Sequence, residues 1–372
     1  MVLHSGPVSE RLTKRSLVTV SHAIERAALA SAEDGPLVVF ALFQRLPYFG
    51  RERRRYERIA ARAAATVVGL VGADPVLPPP GAYGVALDGD EELAREWSVV
   101  ALTPRFGGVL VARDLAEVAP EATTLESGRL FEGRWSFRRD EALHEVLRLR
   151  DRLANRLPVA ARDAVDETVG RVRDLPATPG EARVEAAMRL LAGRAEQAYR
   201  AALTRPEVAD EPTRLLDETG LAHWAGAGGV TASGVLPVAL VGVRVEDRAG
   251  SPGGVARRGA AREAQAVLGA LTGPLGPADR AVRLAEREFL LVLPALTEEQ
   301  AVAAAHRVHE SMAGLASSYP FVTFTVHTVV AVTARRPLPV ADVREALRWA
   351  VREGVPVATV AAAPAPVATA GR

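Results

Sequence analysis

Arg283-Leu284-Ala285-Glu286-Arg287-Glu288-Phe289 runs without a break into Leu290-Leu291-Val292-Leu293-Pro294. The apolar run at 289–293 has the length of a buried strand, and 280–284 before it is a second short run. Two such runs separated by a few polar residues predict a β-hairpin. Working outward, 236–245 reads as a strand, 259–271 and 298–315 as helices, and 321–333 as a strand. The resulting β-α-β-β-α-β order is that of a ferredoxin-like split unit, followed by one more helix over 339–352. This second domain spans 215–360. Its α+β class differs from what precedes it.

Towards the N-terminus, Leu17, Val20, Ala23, Ile24, Ala27 and Ala28 recur at helical spacing, predicting a helix over 16–32. Gly35-Pro36 breaks it. The continuous apolar run 37–43 then predicts a strand buried on both faces. An arginine-studded helix over 48–65, a strand over 67–71, a Pro78-Pro79-Pro80-Gly81 loop and strands at 97–102 and 108–112 complete an α/β domain over 16–155. Residues 1–15 are expected to be a flexible lead. The stretch 156–214 is expected to be a helical connector, interrupted at Pro158, Pro176, Pro179 and Gly180, that either carries a signal or spaces the domains. The Ala/Pro-rich 361–372 is expected to be a disordered tail.

The chain has 372 residues, enough for two domains, and a formal net charge of +1. That balance gives no general attraction to nucleic acid or anionic membrane. With no cysteine, thiolate metal sites, Fe–S clusters and a cysteine nucleophile are excluded. No run of about 18 apolar residues is present, so no membrane span is expected. Nor is there an apolar leader at the N-terminus. A cytoplasmic location is the expectation.

The hairpin resembles the R-x-G-G-D-E-F signature of diguanylate cyclases. Asp217-Glu218-Thr219-Gly220-Leu221 is similar to the D-x-x-T-G-L entry of GGDEF domains. Asp279-Arg280-Ala281-Val282-Arg283 resembles their D-x-x-x-R lead, and Glu345-Ala346-Leu347 with Gly354 resembles their last helix. The resemblance implies a nucleotidyl-cyclase fold, but the signature reads Ala285-Glu286-Arg287-Glu288-Phe289. In the family, carboxylates hold Mg²⁺ and glycines let the triphosphate approach the backbone. Here Arg244 aligns with the first metal acid and Arg287 with the second. A guanidinium 4 Å from a dication is repelled by on the order of 8 kcal/mol at an effective dielectric of about 20. Ala285 and Glu286 replace the glycines, and Val351 aligns with the phosphate-binding lysine. An inhibitory R-x-x-D site lacks its arginine, which aligns with Gly276. Glu246, Asp247 and Glu288 remain acidic.

Residues 16–155 resemble the DICT sensory domain through Ser16-Leu17-Val18, Ser21-His22, Ile24, Phe43-Gln44-Arg45, Tyr56, Ala86-Leu87-Asp88, Glu96-Trp97 and the stretch Phe131-Glu132-Gly133-Arg134-Trp135-Ser136-Phe137. The resemblance implies sensing or interaction without naming a stimulus, and the expected partner is an unknown small-molecule ligand. Ligands of α/β sheets bind outside the carboxyl ends of strands, so Gln44, Arg45, Arg51, Arg54 and Tyr56 are the ligand candidates. Alternatively, the arginines are a solvated face pairing with Glu52 and Glu57, and Trp97, Trp135 and Phe137 are core.

His306 and His309, three apart on a helix, lack a third metal ligand. No hydrolase triad, phosphate loop or nucleic-acid motif is present. The expectation is a non-catalytic signalling protein: a sensory input domain joined to a retired cyclase fold that serves as an interaction or dimerisation module. It would have no cofactor or resident metal, and its partner would be a second copy or another signalling protein. The alternatives are residual nucleotidyl transfer through Glu246, Glu288 and Mg²⁺, or an adaptor with an unnamed partner.

Overall fold

The computed structural model describes residues 9–43, 46–71, 78–120, 122, 124–176, 180–203, 215–225, 236–247, 257–318 and 324–360. The chain divides into two compact units, one of residues 1–115 and 129–204 and the other of 116–128 and 205–372. The expected lead (1–8 of it) and the tail 361–372 lie outside the described residues.

The first unit is α/β. It contains β1 (Glu10–Thr13), α1 (Lys14–Ser31), β2 (Val38–Phe43), α2 (Leu46–Ala60), β3 (Ala65–Val71), β4 (Tyr83–Leu87), β5 (Glu96–Leu102), β6 (Gly107–Val118), β7 (Arg129–Ser136), α3 (Arg139–Arg152), α4 (Val159–Arg173) and α5 (Glu181–Leu203). Seven strands form one sheet in the order β1-β7-β6-β5-β2-β3-β4. The central β2 shows why the run 37–43 reads as doubly buried. Val39, Ala41 and Phe43 point to one face, and Val38, Phe40 and Leu42 to the other, as the two-residue period of a strand requires. The first face is covered by Leu17, Val20, Ile24 and Ala28 of α1 and by Phe49, Tyr56 and Ile59 of α2. The second is covered by Ala142, Val146 and Leu149 of α3 and by Val165, Val169 and Val172 of α4.

Two expectations are corrected here. Residues 10–13 are not a loose lead: β1 pairs antiparallel with β7, Glu10 opposite Gly133. Nor is 156–203 a connector. α4 buries its apolar stripe on the sheet, and Met188 and Ala192 of α5 pack on the opposite face. β4 and β7 had no predicted counterpart. Gly107 has a specific reason to be glycine, because a Cβ there would run into the backbone of Arg139 and lie 2.9 Å from the Arg138 carbonyl oxygen. The start of α3 therefore sits directly on β6.

The second unit is α+β. It contains β8 (Leu215–Leu216), α6 (Glu218–Ala225), β9 (Val238–Asp247), α7 (Arg257–Thr272), β10 (Arg280–Ala285), β11 (Glu288–Pro294), α8 (Glu298–Ser318), β12 (Phe324–Thr333), α9 (Val340–Glu353) and β13 (Val357–Val360). Its sheet order is β13-β12-β9-β11-β10-β8. The four central strands lie in the split βαββαβ arrangement, all antiparallel. α7 and α8 cover one face, and α6 and α9 the other. Gly354 ends α9 in the left-handed region at φ 66°, where a glycine costs least. Residues 116–128 contribute Leu125, fully buried beside Leu221 and Trp224, with its N–H donating to the Trp224 carbonyl at 2.9 Å.

Candidate functional site

The predicted hairpin is present. β10 and β11 pair antiparallel with Ala285 opposite Glu288, so Glu286 and Arg287 form the turn. On its other side β11 pairs with β9, and the register puts Glu288 directly across from Arg244. Facing side chains in an antiparallel pair are close enough to bond, and these two do. Arg244 donates from Nη1 to Glu288 Oε2 at 3.2 Å and from Nε to Glu246 Oε1 at 3.3 Å. Arg344, on α9, approaches Glu288 from another direction and donates from Nε to Oε1 at 3.0 Å. Its Nη2 reaches Glu218 Oε1 at 2.7 Å and the Leu284 carbonyl at 2.9 Å.

The result is a chain of alternating charge, Glu246–Arg244–Glu288–Arg344–Glu218. Glu288 is its most enclosed member, with 12% of its side chain exposed. Both of its oxygens are engaged by guanidinium groups, the strongest hydrogen-bond donors a protein has for a carboxylate. Arg287 points to Glu263 of α7, 3.8 Å away. The two acidic candidates Glu246 and Glu288 are thus joined through Arg244. Arg344 and Glu218 were not among the sequence candidates. The resemblance aligns the phosphate-binding lysine with Val351, seven residues further along the same helix.

Asp279, in the lead to the hairpin, accepts the Gly276 N–H at 2.7 Å. Burial pushes its carboxyl above the usual aspartate value, against the pull of that hydrogen bond and of Arg280. A raised folded-state value means that stability is highest below the unfolded aspartate value and is lost as pH rises through the folded one. Asp279→Asn keeps an acceptor for Gly276 without the charge. Its melting temperature relative to wild type is expected to climb as pH is raised through the carboxylate range in a thermal-unfolding series.

In the first unit the expected ligand residues divide. Gln44 and Arg45 lie outside the described residues, as does the Arg51 side chain. Arg54 is exposed on α2. Tyr56 is corrected: its ring is fully buried, 5.6 Å from Phe43 and 5.8 Å from Phe49 between centroids, and offers no surface to a ligand. Trp135, 5% exposed, is likewise core.

What Tyr56 does is anchor a polar network that sequence reasoning missed. Its hydroxyl donates to Glu25 Oε1 at 2.9 Å, and Ser21 Oγ donates to the same oxygen at 3.2 Å. Arg55 Nη1 donates to Glu25 Oε2 at 2.8 Å and also holds Glu52. His22 Nε2 lies 3.4 Å from Glu52 Oε1. Glu25 is 1% exposed, on the α1 stripe that otherwise carries Leu17, Val20, Ile24 and Ala28. A charge placed on an apolar helix face was the signal available for it. Burial pushes the Glu25 carboxyl up, opposed by Arg55 and Tyr56. Glu52, 23% exposed at the side chain, is held low, chiefly by its hydrogen bond with His22.

Comparison with known proteins finds similarity for both parts of the chain. Residues 2–115 match the DICT family. That family is described as a sensory domain in diguanylate cyclases and two-component systems. The DICT match stops short of β7, α3, α4 and α5, which complete the compact unit in this chain. No curated protein matches the sequence. Among solved structures, the GGDEF domain of DgcB from Caulobacter crescentus in complex with c-di-GMP is 16% identical with a TM-score of 0.33, covering 42% of this chain and 98% of that one. The active GGEEF domain of a diguanylate cyclase from Vibrio cholerae is 13% identical with a TM-score of 0.34, covering 41% and 99%. Diguanylate cyclase SiaD from Pseudomonas aeruginosa, in complex with its activator SiaC, is 20% identical with a TM-score of 0.36, covering 60% and 88%. No helix among the described residues is long and apolar enough to cross a membrane.

Proposed function

We propose that this chain is a signalling protein in which the DICT-matched unit receives a stimulus and the C-terminal unit responds by binding a partner, without making a cyclic dinucleotide. The observation that carries the reading is Arg244, bonded to both Glu246 and Glu288. A dication bridging those two carboxylates would occupy the space of a guanidinium that already neutralises them. Mg²⁺ needs near-octahedral oxygen coordination and gives up its waters reluctantly. The residues present do not fit it. Ala285 and Glu286 add side chains at the turn, where close approach of a triphosphate backbone favours glycine. The natural output of such a unit is a protein contact, with self-association or a separate signalling protein as the two forms it takes.

Thermal unfolding of the full chain against GTP with Mg²⁺, and separately against c-di-GMP, tests this. A ligand at 100 times its Kd adds about 2.7 kcal/mol to the unit that binds it. The C-terminal transition is expected to stay in place with GTP and Mg²⁺. A GTP-dependent rise that Glu288→Ala abolishes would overturn this reading and revive nucleotidyl transfer on the remaining carboxylates.

A further inference from the structure

The chain passes between its two compact units at three joints, 115/116, 128/129 and 204/205. The first two bracket residues 116–128, which leave β6, belong to the C-terminal unit, and return to β7. β6 and β7 are neighbours in the first sheet. Hairpin loops are mostly about 2–5 residues long, whereas this connection is longer and is built into another core. Leu125 is fully buried there beside Leu221 and Trp224, and Val118 packs on the same cluster. The Leu125 N–H donates to the Trp224 carbonyl at 2.9 Å. Arg280 Nη2 donates to the Ala122 carbonyl at 3.4 Å, with its guanidinium 5.3 Å from the centre of the Trp224 ring. α6 and β10 are therefore both held by this segment. They are the elements that carry Glu218 and lead into the hairpin turn of the charge chain.

The described residues of the segment also hold one another. The Ala119 N–H donates to the Gly128 carbonyl at 2.7 Å, and the Gly128 N–H to the Thr124 carbonyl at 3.2 Å. Thr124 Oγ1 donates to Ser127 Oγ at 2.8 Å. A Cβ on Gly128 would run into that of Ala122, so the loop closes tightly only with glycine. At its entrance Ala116 has φ 53°, in the left-handed region that alanine enters at a cost and keeps only where its surroundings fix it. This strained joint stands where the DICT match ends, at residue 115. At its far end β6 begins at Gly107, against the backbone of Arg139. A shift of β6 and β7 in their sheet displaces both ends of the loop. The loop then has either to carry α6 with it or to withdraw Leu125 from an apolar core, which loses its burial.

We propose that residues 116–128 are a strap that passes the state of the DICT-matched unit to α6, and so to Glu218, in the C-terminal unit. The strap names the regulation of the site described above, and it rests on the reading in which the first unit receives and the second responds.

Hydrogen exchange of the full chain, read by mass spectrometry, tests it by comparing 218–225 with α8, which lies on the other face of the same sheet. Leu125→Ala is expected to raise exchange in 218–225 by about tenfold or more, as local opening becomes easier, and to leave α8 as it is. That result alone would also follow from a purely structural role. The deciding readout is propagation. Arg139→Ala disturbs the first unit where α3 meets β6, and is expected to raise exchange in 218–225 as well. Flexible Gly-Ser-Gly spacers inserted at 115/116 and 128/129 are expected to remove that second rise. Arg139→Lys takes the place of the alanine variant if the latter does not fold. Ala116→Gly, which frees the same joint, takes the place of the spacers and is expected to shrink the rise. Exchange in 218–225 indifferent to Arg139, or a rise that neither the spacers nor Ala116→Gly reduces, would overturn the strap. No nucleotide enters this experiment. A GTP-dependent shift in the unfolding test would therefore remove the non-catalytic reading and leave the strap standing, whereas failed propagation removes the strap alone.

Discussion

Arg139→Ala is expected to destabilise the first unit by about 3–5 kcal/mol, the range for removing one partner of a buried charged pair. Arg139 opens α3 and is only 5% exposed. Its guanidinium donates to the carbonyls of Pro104, Leu175 and Pro176, and its Nε lies 3.8 Å from Glu181 Oε1. Its own backbone N–H donates to Glu181 Oε2 at 2.9 Å. One side chain thus ties the β5–β6 turn, the end of α4 and the first residue of α5 to the start of α3. Alanine would strand those carbonyls and bury Glu181 beside nothing positive from α3, and each unsatisfied buried group costs about 1–3 kcal/mol. In a unit of this size the melting temperature should fall by roughly 10 °C. Urea unfolding followed by tryptophan fluorescence measures it. A loss under about 1 kcal/mol would mean that water replaces the guanidinium without penalty.

Tyr56→Ala should cost a similar amount for a different reason. Deleting a large buried aromatic ring leaves a cavity worth about 3–5 kcal/mol. Phe43 and Phe49 lose their ring partner, and Glu25 loses its shortest hydroxyl donor. Tyr56→Phe separates the two effects. It keeps the packing and removes only the hydroxyl, so Glu25 retains Ser21 and Arg55. The expected cost is then about 1–3 kcal/mol. Equal losses for the two variants would show that the hydroxyl, and not the ring, secures α2 against α1.

The parts of this molecule that could be read from sequence are those encoded by neighbours along the chain. The β10–β11 hairpin was legible because 280–294 contains both strands and their turn. The helical character of α5 was legible because no proline falls between 181 and 203. Strand β2 announced double burial by its unbroken apolar run. Other features depend on what an element packs against. The stripe Val165, Val169, Val172 says that α4 buries a face, but a face buried on its own sheet and one buried on a neighbouring domain look alike in sequence. β7 was taken as a motif and not as a strand, although Phe131, Gly133 and Trp135 alternate with exposed or half-buried residues. At the hairpin, Arg244 was found because the resemblance aligns it with the first metal acid, at the end of the strand read over 236–245. Arg344 was not, because its reach to Glu288 from α9 spans 56 positions. Glu25 went unread although it is a charge on the apolar stripe of α1, and its partners Arg55 and Tyr56 are given only by how α1 and α2 meet.

The alternating charges at Glu246, Arg244, Glu288, Arg344 and Glu218 also constrain how this unit can change over generations. Removing any interior member leaves its neighbours with unmatched charge in a partly enclosed place. Reversing the sign of Arg244 alone would set acids against one another across β9 and β11. A path towards a metal-binding hairpin therefore runs through intermediates with unmatched charge, unless several positions mutate together. Such a network behaves as a ratchet: descendants can diversify what the unit contacts far more readily than they can turn this hairpin into a metal site.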